Sequence, residues 1–219
     1  MAATPLDRLV RVLAGTAELE GNLRIHESAR AIVVFAHGSG SSRHSPRNRF
    51  VADHLASAGL GTLLIDLLTR REEIVDMENA ELRFDVRLLA GRLGAVTDWL
   101  AADPATAALS IGYFGASTGG AAALIAAAER PQTVRAIVSR GGRPDLAMPV
   151  LPGIQQPTLL IVGGADEVVI DLNQQAFDAL GGIKRLVIVP GATHLFEEPG
   201  ALEQVAALAS DWFGRYLEA

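Results

Sequence analysis

Cysteine is absent from the 219-residue chain, which removes disulfides, thiolate zinc sites and a cysteine nucleophile while leaving the redox compartment open. No apolar stretch reaches the length needed to span a bilayer. The N-terminal MAATPLDRLVRVLAG has no long apolar core behind a basic start, so no signal sequence is expected. Excess positive charge is lacking too: a formal net charge of -6 sets aside a general nucleic-acid or anionic-membrane surface. There is no linker, low-complexity tract or internal repeat, and a 49% hydrophobic content suffices for one core. A soluble, cytoplasmic protein with a single domain over residues 1–219 is expected, and its oligomeric state is left open.

What is present has an α/β rhythm, with short apolar runs alternating with amphipathic segments. The spacing predicts strands over 9–13, 17–25, 31–36, 61–67, 109–114, 134–139, 157–162 and 184–189. The first two alternate polar and apolar residues with no helix between them, as an antiparallel N-terminal edge would. Runs such as Ala31-Ile32-Val33-Val34-Phe35 and Thr158-Leu159-Leu160-Ile161-Val162 suit a mostly parallel, doubly wound sheet buried on both faces. Helices are expected over 48–58, 82–102, 117–129, 171–180 and 199–217, on alternating faces through right-handed crossovers. Residues 69–85, TRREEIVDMENAELRFD, form the longest polar connection. It reads as a solvated loop that borders the site at most through Leu67, Leu68 or Met77.

In such a sheet, ligands collect at the carboxyl ends of strands, where helix N-termini converge. One strand ends there in Gly115-x-Ser117-x-Gly119 and turns directly into a helix, the pattern of a nucleophile elbow. The helix dipole and free N–H groups at its start favour an oxygen that gains negative charge. A serine hydroxyl needs a base and a group to orient that base. His194 and Asp166 follow in the order nucleophile, acid, histidine, each just beyond a strand. His26 falls in an edge strand, His54 in a helix and His44 in a loop. Asp171 is the rival acid but is better suited to capping a helix near Leu172, whereas Glu197 and Glu198 sit too close to the histidine. His37-Gly38-Ser39-Gly40 completes the set: the backbone N–H groups of Ser39 and Thr118 are the candidate oxyanion donors, and His37 reads as structural.

Arginines gather next to these loops in an otherwise acidic chain. Arg43 and Arg140 are the candidate substrate-binding residues, for a carboxylate or phosphate on the substrate or its leaving group. Arg47 and Arg49 read as the solvated face of a helix start, Arg143 as loop-shaping, and pairing with Asp145 is the alternative for Arg140.

The motifs VVFAHGSGSS at 33–42, GYFGASTGG at 112–120, LLIVGGADEVV at 159–169 and VPGATHLFEEPG at 189–200 resemble those of an α/β-hydrolase. The likeness is to the small dienelactone-hydrolase-like members without a large lid domain, and it spans nearly the whole chain. It implies a single-domain α/β-hydrolase fold and hydrolysis of a carboxylic ester or related small-molecule acyl compound, with no metal and no organic cofactor. The dienelactone hydrolases proper carry cysteine as nucleophile, whereas position 117 is serine, so the likeness does not name dienelactone as the substrate. An acyltransferase would use the same residues, and a non-catalytic binding protein would keep the fold alone. A dinucleotide site is weaker: Arg43 stands where its third glycine would be, and no Gly-Lys-Ser/Thr cradle is present.

Overall fold

The computed structural model describes residues 6–217, so the first five residues of the N-terminal segment lie outside it. Its strands are β1 (Leu6–Ala14), β2 (Ala17–Ile25), β3 (Ala31–Ala36), β4 (Gly61–Ile65), β5 (Ser110–Ala116), β6 (Val134–Arg140), β7 (Thr158–Gly163) and β8 (Lys184–Val189). The helices are α1 (Pro46–Ser57), α2 (Arg70–Asn79), α3 (Val86–Ala102), α4 (Thr118–Glu129), α5 (Glu167–Ala179) and α6 (Ala201–Leu217). The strands form one sheet in the order β1-β2-β4-β3-β5-β6-β7-β8. The β1–β2 and β2–β4 pairs are antiparallel, and all pairs from β4 through β8 are parallel. The expected antiparallel edge is therefore present at the N-terminal side.

Burial on both faces explains the unbroken apolar runs. In β3 every residue is buried, and the two-residue period of a strand sends Ile32 and Val34 to one core and Val33 and Phe35 to the other. The first core is closed by α3 and α4 through Leu89, Leu93, Ala122 and Ala126. The second is closed by α1 and α6 through Val51, Leu55, Val205 and Phe213. Each fully buried leucine or phenylalanine contributes about 1.5–3 kcal/mol relative to exposure. Alanine favours the helix of α4 intrinsically, and its short side chains at 121–123 and 126–127, all buried, let that helix lie close against the sheet.

After β3 the chain adds β4 on one side and β5 on the other. The order reverses there, and a crevice opens beyond the carboxyl ends of β3 and β5. Into it run the loop after β3 and the turn after β5.

Four expectations need correction. Residues 69–85 are not a solvated loop. Thr69 and Glu72 make reciprocal cap bonds, the Glu72 N–H donating to the Thr69 hydroxyl at 3.3 Å and the Thr69 N–H to Glu72 Oε2 at 2.8 Å, and they start α2. The helix expected over 82–102 is divided: Leu82–Phe84 is a 3-10 turn, and Asp85 then caps α3 by accepting from the Leu88 N–H at 3.0 Å. The helix expected from residue 171 begins at Glu167, so Asp171 lies inside it and caps nothing. His26 follows β2 rather than lying in it.

Candidate active site

Ser117 is the hinge between β5 and α4, with φ 50° and ψ -122°. A positive φ in a non-glycine residue costs on the order of 1–3 kcal/mol and persists only where the surroundings enforce it. Here the Ser117 N–H donates to the Arg140 carbonyl at 3.3 Å, and the Ser117 carbonyl accepts from Arg143 at 3.0 Å and Gly120 at 3.0 Å. The flanking glycines are steric requirements. A Cβ on Gly119 would stand 2.1 Å from the Ala36 carbonyl oxygen, and one on Gly115 would stand 2.5 Å from that of Gly119.

Asp166 occupies the N-cap position of α5, yet its side chain caps no helix bond. It turns instead to His194, whose Nδ1 lies 2.7 Å from Asp166 Oδ2. That contact fixes a tautomer with the proton on Nδ1 and leaves Nε2 as acceptor. The loop carrying His194 is anchored one turn later by Phe196, which is buried and held at φ 57°. Ser117, His194, Ser39 and Arg140 line one cavity of about 120 Å³.

The loop after β3 packs against the serine so closely that a Cβ on Gly38 would stand 2.9 Å from Ser117 Cβ. Its peptide orientation is held by the buried His37. The Gly38 carbonyl accepts from His37 Nδ1 at 3.0 Å and from the Ser41 N–H at 3.1 Å, while His37 Nε2 accepts from the Leu67 N–H at 3.2 Å. In a trans peptide the N–H points away from the carbonyl, so pinning the Gly38 oxygen also aims the Ser39 N–H. Burial pushes the His37 pKa down, in keeping with a neutral ring that donates from one nitrogen and accepts at the other. Thr118 is the first residue of α4, where a backbone N–H has no intrahelical acceptor.

The two candidate arginines part ways. Arg43 is engaged elsewhere: its backbone N–H reaches Asp66 Oδ1 at 2.6 Å, and its guanidinium bonds Asp66 Oδ2 and, at 2.7 Å, Glu20 Oε2. It does not line the cavity of Ser117, and the expectation that it binds substrate is corrected. The same contacts occupy both oxygens of Asp66. Arg140, at the end of β6, is only 7% exposed. Its guanidinium meets Asn48 Oδ1 at 3.4 Å and lies 5.7 Å from the Phe196 ring centroid, and Nε has no partner among the described residues. Burial, and then the neighbouring Arg47, push its pKa down to about 10, so it keeps its charge at neutral pH. Asp145 pairs instead with Arg143 at 2.8 Å, and Arg47, which also lines the cavity, reaches Glu197 at 3.0 Å. Asn48 and Phe196 were not signalled by any local pattern in the sequence.

The sequence model of the dienelactone hydrolase family matches residues 19–218. The chain belongs to that family. A crystal structure of a dienelactone hydrolase from Anabaena variabilis is 62% identical, covers 97% of this chain and 99% of its own, and superposes with a TM-score of 0.96. A Xanthomonas campestris α/β serine hydrolase without a lid is 18% identical, covers 97% of this chain and 96% of its own, and has a TM-score of 0.74. At that identity the likeness speaks for the fold alone, an α/β-hydrolase fold. Proteins of two Mycobacterium tuberculosis strains, named as candidate phosphoribosyl transferases, are 60% identical over 207 residues. The match covers 94% of this chain but 46% of theirs, so the chain spans about half the length of these curated relatives. Among the described residues no helix is long and apolar enough to cross a membrane.

Proposed function

We propose that this dienelactone hydrolase family member is a serine hydrolase that cleaves a carboxylic ester or related acyl compound through an acyl-enzyme on Ser117. The observation that carries the reading is the strained Ser117 in one cavity with His194, whose far nitrogen is held by Asp166 at 2.7 Å. His194 Nε2 takes the Ser117 proton as the oxygen attacks the acyl carbon, and Asp166 stabilises the imidazolium that forms. The N–H groups of Ser39 and Thr118 receive the negative oxygen. His194 then protonates the leaving group, and an activated water releases the acid by the same steps. Nothing in these steps draws on a metal or an organic cofactor.

Arg140 is the group of this site that recognises charge. A buried guanidinium with no acid beside it among the described residues is costly, and a substrate carboxylate or phosphate would supply two parallel hydrogen bonds. The phosphoribosyl transferase name belongs to proteins of which this chain matches 46% of the length.

A serine-directed phosphonate followed by intact-mass analysis tests the nucleophile. One adduct per chain is expected, on Ser117, with labelling and ester turnover both abolished in Ser117→Ala. Labelling at another residue with full activity in that variant would overturn the assignment.

A further inference from the structure

Two cavities meet at the loop after β3, and they differ in chemistry. The smaller, of about 120 Å³, holds Ser117 and His194 and carries Arg47 and Arg140 with no acidic residue in its wall. The larger, of about 440 Å³, lies under α2. It does not contain Ser117, but it adjoins the serine through the two candidate oxyanion residues, Ser39 and Thr118. Its apolar wall is Leu68, Ile74, Met77 and Leu89, and its charged residues balance, two arginines against two acids. One arginine and one acid of that set are already paired: Arg83 Nε reaches Asp76 Oδ2 at 2.5 Å.

The proposed mechanism gives the two cavities different tenants. The leaving-group oxygen must face His194, since that ring protonates it. The alcohol therefore departs through the small, cationic cavity. The remaining substituent of the tetrahedral carbon, the acyl group, points past the oxyanion donors into the larger cavity. An apolar chain there removes hydrocarbon from water, whereas an acyl carboxylate would meet Glu73 and Asp76 as well as Arg70 and Arg83, a wall with no net charge to attract it.

We propose that the substrate is an ester of an apolar, chain-length acyl group with a compact anionic alcohol, the chain lying under α2 and the anion at Arg140. This rests on the serine hydrolase reading and deepens it. In turnover the acyl–oxygen bond breaks, the alcohol leaves with the proton from His194, and water supplies the hydroxyl of the released fatty or related acid. Ile74 and Met77 become residues that set acyl preference, and Arg140 the residue that sets alcohol preference.

The test is kcat/KM for octanoyl and acetyl esters of ethanol, of glycolate and of 2-hydroxyethyl phosphate, with ethyl succinate as an ester charged on the acyl side. Octanoyl is expected to exceed acetyl, and an anionic alcohol to exceed ethanol; whether glycolate or the phosphate is better names the anion. Ile74 and Met77 are 54% and 72% exposed, so Ile74→Glu/Met77→Glu folds and should lower the octanoyl-to-acetyl ratio by about tenfold or more. Arg140→Met should leave that ratio and lower the anionic-to-neutral ratio instead. Acetyl esters used as well as octanoyl, ethyl succinate preferred over the octanoyl esters, or equal use of charged and neutral alcohols would overturn the proposal. If Ser117 still takes the phosphonate in that event, the hydrolase reading survives; if it does not, both fall.

Discussion

Arg140 is a cation held out of water with no carboxylate among the described residues to offset it, so its burial weighs against the stability of the free protein. Even buried ion pairs replaced by apolar side chains of similar volume often leave stability unchanged or raise it by about 1–4 kcal/mol, and a lone buried cation has no ion-pair partner to lose. Arg140→Met is therefore expected to unfold at higher temperature than the parent while losing preference for anionic esters, and a calorimetric scan checks it. His37 acts through the peptide it orients rather than on substrate. His37→Phe removes both of its bonds, to Gly38 and Leu67, and should lower kcat on the order of tenfold or more with KM little changed, as for a weakened oxyanion donor. His37→Asn, which can still donate to the Gly38 carbonyl, should recover part of the loss. Steady-state kinetics on the pair would separate this from simple destabilisation, which moves both variants alike.

Among the elements, α2 forms the roof of the larger cavity, and two ion pairs tie it to its neighbours, Arg83–Asp76 and Arg92–Glu72. Arg92, buried in α3, reaches Glu72 Oε1 at 2.5 Å and Oε2 at 2.7 Å, and its bonds hold the Glu72 carboxyl down at about 2, against an ordinary value of 4.5. A depressed carboxylate contributes stability that is present above the unfolded pKa and lost as pH falls through the folded one. Glu72→Gln should thus be less stable than the parent at neutral pH, with the gap closing between about pH 4.5 and 2; urea titrations across that range would show it. The helix was missed although Thr69-x-x-Glu72 matches a cap signature, because the charge density of TRREEIVDMENAELRFD reads as loop and nothing local reveals the cavity on its inner side. By contrast, β2, β3 and β8 were readable to the residue, since turn residues bound each β-branched or alternating run.

At the scale of the whole molecule, the sheet gathers residues that are far apart in sequence. That Ser117, Asp166 and His194 each follow a strand was readable from the apolar runs before them, and such a fold delivers strand ends to one crevice. Asn48 and Phe196 were not readable, since their contacts with Arg140 arise only from the folded chain, where Arg140 meets Asn48 across 92 residues of sequence. Arg43 misled for the same reason: its partners are Glu20, in β2, and Asp66, just past the end of β4, and the pairing of those two strands is invisible along the chain. The claim on which site, mechanism and substrate all rest is that an acyl group passes through Ser117. Rapid-quench mass spectrometry during turnover of an activated ester measures it directly. The expected result is a transient mass increase equal to the acyl group, mapped to the peptide containing Ser117 and missing in Ser117→Ala, which is inactive. Steady turnover with no acyl adduct, or full activity in Ser117→Ala, would contradict it.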